Sequence, residues 1–132
     1  MKNVFEIINL HIYHFDVVVS INQTDKQFSK SMKGQDMTDS DGLFNLPKTT
    51  NARAVMLPSN LSVIRFKIKD KIPHGVIAHE VFHISTFIME RIGMEFIIMK
   101  SDEAYAYLIN YLVDEIYEIL NKNHIVDTNK KV

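Results

Sequence analysis

Two histidines and a glutamate stand close together in Gly75-Val-Ile-Ala-His79-Glu80-Val-Phe-His83-Ile-Ser-Thr-Phe-Ile-Met-Glu90-Arg91. On a helix, residues four apart lie one turn along the same face, so the imidazoles of His79 and His83 can grip one metal ion. Glu80 then falls beside that ion, placed to take a proton from a water the metal activates. Chance alone yields this pattern in such a chain with a probability on the order of a few per cent. The setting adds weight. Apolar residues such as Val76, Ile77, Val81, Phe82, Ile84 and Phe87 cover nearly the whole circumference, which predicts a buried helix. Ionisable groups inside one are costly unless paired or metal-bound. The residues therefore point to zinc.

The whole chain limits the alternatives. With 132 residues, 46% of them hydrophobic, it can build one core, and residues 1–120 are expected as a single domain with a polar tail at 121–132. There are no cysteines, so any zinc must be held by histidine and carboxylate. A net charge of −1 argues against a surface for nucleic acid. Polar residues interrupt the first nine positions, and no apolar stretch reaches the length of a membrane span, so a soluble cytoplasmic protein is the expectation.

Several elements must position the helix. Odd positions from His11 to Ile21 are apolar or aromatic, which predicts a strand, with 4–9 either extending it or forming a leading turn. Thr24 and Gln27 have the spacing of a capping box, predicting a short helix to about Met32 that stops at Gly34. The polar run 34–51 reads as a surface loop. Its Asp39-Ser-Asp41-Gly42 imitates a calcium loop but has Met37 and Lys48 at key ligand positions, so it reads as an ordinary turn. Residues 52–57 and 61–69 predict a hairpin, with Ile64, Phe66 and Ile68 inward and Arg65, Lys67 and Lys69 outward. The apolar connector 94–100 is expected to pack, and Ser101 to cap a last helix ending near Leu120. The order β-α-β-β-α-α describes a small α+β domain.

A catalytic zinc usually has three protein ligands and one open position. A third histidine of the metzincin type is excluded, because Thr86 and Met89 stand where that pattern needs glycine and histidine. A glutamate on a following helix is the alternative, and Glu103 lies 103 − 83 = 20 residues beyond the second histidine. Asp102 beside it competes for that role, and both also suit a helix's first turn.

With these residues in place, the chain resembles the gluzincins, the thermolysin-like zinc metallopeptidases, over roughly residues 52–120. Its compact build is similar to small metallopeptidase-like proteins of bacteria and their phages. The resemblance implies a zincin-like domain with the motif helix packed on a short sheet. It implies His79, His83 and Glu103 as zinc ligands, Glu80 as general base, and a peptide or protein as substrate. There are departures. Tyr107 replaces the family's aspartate four residues after the ligand glutamate, leaving Asn110 or Asp114 to orient a ligand. The domain carrying the family's oxyanion-stabilising groups is absent. His74 at the helix mouth is the expected extra polar group near the metal, whereas Tyr105, Tyr107, Tyr111 and Tyr117 read as core aromatics. The alternative function is a binding or inhibitory module with a structural zinc; a metal-free polar core is a third possibility.

Overall fold

The computed structural model describes residues 2–35, 37, 45–57 and 59–125. The calcium-like turn at 39–42 and the tail from 126 lie outside them. Within them, strands β1 (Val4–Leu10), β2 (Phe15–Ile21), β3 (Ala52–Leu57) and β4 (Leu61–Phe66) form one sheet with helices α1 (Asp25–Gly34), α2 (His74–Arg91) and α3 (Asp102–Lys122). The sheet is mixed, in the order β1-β2-β4-β3. β2 and β4 run parallel at its centre, and the outer pairings are antiparallel. This is a small α+β domain.

Val17, Val19 and Ile21 of β2 point to the same side as Ile64 and Phe66 of β4. They meet Ile77, Val81, Ile84 and Ile88 of α2 and Leu108, Leu112 and Ile116 of α3. Val18 and Val63 point the other way, onto Phe28 and Met32 of α1. The sheet is thus covered on both faces, and the period-2 alternation of the strands supplies both cores.

One expected strand becomes two. His11–Tyr13 form a 3-10 turn, and His14 adopts the left-handed conformation (φ 54°) that turns the chain back. Residues 4–10 are therefore a separate strand, pairing Val4 with Ile21 and Leu10 with Phe15. The rings of His11 and Tyr13 imitate strand alternation, but His14 tolerates the positive φ that ends it.

Arg65, expected outward, is only 2% exposed because α1 covers its face of β4. Its Nη1 donates to Asp25 Oδ1 at 2.6 Å, its Nη2 donates to the Gln23 carbonyl at 2.8 Å, and its Cζ lies 4.6 Å from the Phe28 ring centre. The capping box holds α1 in that position: the Gln27 amide donates to Thr24 Oγ1, and the Thr24 amide to Gln27 Oε1. Burial pushes the Asp25 carboxyl up. The hydrogen bonds from Arg65 and the Leu46 amide, with the charges of Arg65 and Lys67, outweigh this and hold it below its ordinary 3.8. A carboxyl lowered in the folded state stabilises the fold above its unfolded pKa and loses that contribution as pH falls through the folded value. Asp25→Ala leaves the buried guanidinium without its counter-charge; because the Asp25 side chain is 44% exposed and solvent screens the pair, the cost near neutral pH should be about 1–2 kcal/mol. The cost should shrink below about pH 4, and urea unfolding at both pH values measures it.

The connector after α2 differs from expectation. Met94 packs against the core and the Phe96 ring meets Tyr105 edge-on, but Phe96, Ile97, Ile98 and Met99 are largely exposed. Ser101 is spent on this turn: its hydroxyl donates to the Glu95 carbonyl and accepts from the Ile97 amide, so it makes no side-chain cap on α3.

Candidate metal centre

α2 turns its core stripe to the sheet and α3, but the rest of it is open. His79 is exposed, His83 is partly so, and Phe82 is 56% exposed. The expected all-round burial fails because no described element covers this flank, although the composition of α2 would suit one. Along that flank the two imidazole Nε2 atoms stand 3.1 Å apart, with ring centres at 4.7 Å and planes 77° apart. Two nitrogens bound to one tetrahedral zinc at about 2.0–2.1 Å lie roughly 3.3 Å from each other, so the pair is close to the separation a shared ion requires. Phe87, one turn beyond His83, stacks on its ring at 6.2 Å between centres and so restricts its orientation.

Glu80 is only 6% exposed and lies between this flank and β3. It borders a cleft of about 440 Å³ with Thr50, Asn51, Ala52, Gly75, Val76 and His79. Ligand atoms of His79, Glu80 and His83 all lie within 4.8 Å of one another. The Glu80 carboxylate receives no hydrogen bond among the described residues. The carboxylate thus borders the cleft without a donor, and a cation between the imidazoles would pair with it. On this observation the residues fit a divalent metal.

Glu103 is not brought to the group, and neither is Asp102. Glu103 is exposed on the first turn of α3 and Asp102 half-buried beside it. α3 packs on the opposite flank of α2: His74 stacks on Tyr117 with Nδ1 against the phenol oxygen, and His79 and His83 stand about 140° and 180° around the helix from His74. The helices are antiparallel, since the Tyr105 hydroxyl donates to the Met94 carbonyl just past the end of α2. This places Glu103 level with the last turns of α2, beyond the histidines. His74 serves the helix pair instead of the metal flank. Asn110 and Asp114, the expected orienting groups, are exposed on α3. A spacing of 20 residues fixes neither the side on which a following helix packs nor its level along the first.

Tyr105 is buried, as expected for a core aromatic, and Tyr117 is half-buried, its hydroxyl pKa pushed up by burial. Tyr107 and Tyr111 are instead exposed. The residues that sequence reasoning missed are Thr50 and Asn51, which border the cleft from the loop before β3 and carry no local signal of it.

Fold and site together define a small α+β domain with a His-Glu-His candidate metal centre on the flank of one helix. Comparison with known protein families, curated proteins and solved structures finds no match.

Proposed function

We propose that His79 and His83 hold a zinc ion in a zincin-like arrangement and that Glu80 serves as general base in zinc-dependent peptide hydrolysis. The observation that carries this reading is the undonated Glu80 carboxylate at the cleft, with ligand atoms of all three residues within 4.8 Å of one another and the two imidazole Nε2 atoms 3.1 Å apart. Bound there, zinc would acidify a water and polarise a carbonyl. Glu80 would accept the proton of the attacking water and return it to the leaving amine.

The substrate would lie extended beside β3. Two strands, 52–57 and 61–69, are candidates from sequence, but β4 is paired on both sides by β2 and β3. Among the described residues β3 alone of the two has a free edge, and its first residue, Ala52, borders the cleft with His79 and Glu80. Backbone pairing along that edge holds a peptide without demanding a particular side chain.

Zinc-loaded protein should cleave an unstructured peptide, and a chelator should stop it. The second reading, a zinc-holding binding module without hydrolysis, is favoured by the position of Glu103 away from the histidines. In both readings Glu103→Ala and Asp102→Ala should leave zinc affinity unchanged, measured by competition with a chromogenic chelator. A loss matching that of His79→Ala would instead put the first turn of α3 at the metal.

A further inference from the structure

At a different place in the fold, the turn between β1 and β2 faces the middle of α3 across a cavity of about 370 Å³. Tyr13 and His11 border it from the turn, and Tyr107, Leu108 and Tyr111 from the helix. Tyr107 and Tyr111 are one helical turn apart and so share a face. They are 70% and 43% exposed, unlike Tyr105 and Tyr117 on the same helix, whose rings or hydroxyls are engaged within the fold. The rings of Tyr107 and Tyr111 stack on no other ring among the described residues and both border the cavity, while Tyr13 borders it from the edge of the core, against which it packs. No lysine or arginine borders it. Glu115, one turn beyond Tyr111, hydrogen-bonds its phenol; that bond, then burial, then the carboxylate's charge push the phenol pKa up.

We propose that this tyrosine cradle binds a quaternary or methylated ammonium group. The face of a tyrosine ring carries negative potential, and several such faces around one space attract a weakly hydrated cation. The Glu115 carboxylate beside Tyr111 adds the same sign. A purely apolar pocket would take an uncharged group equally well; three phenol rings around one space, with a carboxylate beside Tyr111, favour the charged one. The volume is at the small end of ligand sites, which suits a trimethylammonium group better than a large planar molecule.

The test titrates tetramethylammonium and choline into the full chain at about pH 8, above the usual imidazole range, with the NMR signals of the tyrosine rings and Leu108 as readout. Saturable shifts at Tyr13, Tyr107 and Tyr111 are expected. 3,3-Dimethylbutanol, which has choline's shape without its charge, should bind more weakly. Tyr107→Leu should weaken choline by about threefold to thirtyfold, while Tyr111→Phe, which keeps the ring face, should retain binding. Both positions are exposed, so neither change threatens the fold. A trimethyllysine peptide that binds more tightly than choline would identify a modified lysine as the source of the cation; equal binding would identify a free small molecule. Equal affinity for the uncharged analogue, or no saturable shift with any cation, overturns the proposal. His79→Ala should not alter the titration, so the outcome is independent of the metal centre.

Discussion

Glu80→Gln should lower chelator-sensitive peptide cleavage by about 10²–10⁴-fold while zinc affinity and folding stay close to wild type. The amide is nearly isosteric with the carboxylate, and it fills the same space between α2 and β3. What it lacks is a basic oxygen for the water's proton. It also lacks the negative charge that burial makes costly, so the metal-free variant should be at least as stable as wild type. That second readout matters, because a variant inactive through misfolding would lose both properties together. Cleavage that remains unchanged in Glu80→Gln, yet still stops with chelator, would remove Glu80 from the mechanism. Firm zinc binding with no cleavage by either protein would select the binding module.

His79→Ala and His83→Ala should each weaken zinc by at least about a hundredfold, since loss of groups that merely support a ligand already costs 10–100-fold. Their effect on metal-free stability should be small. Both rings reach solvent, so truncation leaves no enclosed cavity of the kind that makes core substitutions expensive. Thermal unfolding with and without zinc separates the two effects. Wild type should gain stability as free zinc rises, and neither alanine variant should follow it.

Some of this was legible in the residues because its causes are local. Thr24 and Gln27 set the start of α1 through a capping box whose two hydrogen bonds are both present. The β3–β4 pairing and the extents of α2 and α3 follow from turn residues and periodicity in the same way. His79, Glu80 and His83 meet because helix geometry alone brings them together, whatever surrounds the helix. Features that depend on tertiary placement were not legible. The outward pattern at Arg65 gave no sign that α1 covers that face. The apolar surface of α2 suggested burial all round, yet the flank with the histidines is open. Glu103 lies outside the His79-Glu80-His83 group for the same reason: the distance between two helices in sequence carries no information on which flank they share. His14 shows the reverse case, a single residue with positive φ that divided what read as one strand.

X-ray absorption at the zinc edge of zinc-loaded protein tests the metal centre most directly. One zinc per chain is expected, with two imidazole nitrogens at about 2.0–2.1 Å and the remaining positions filled by oxygen. In His83→Ala the imidazole scattering should fall to that of one ring, or the zinc should be lost. A zinc signal without imidazole scattering, or an unchanged spectrum in His83→Ala, would contradict a site built on His79 and His83.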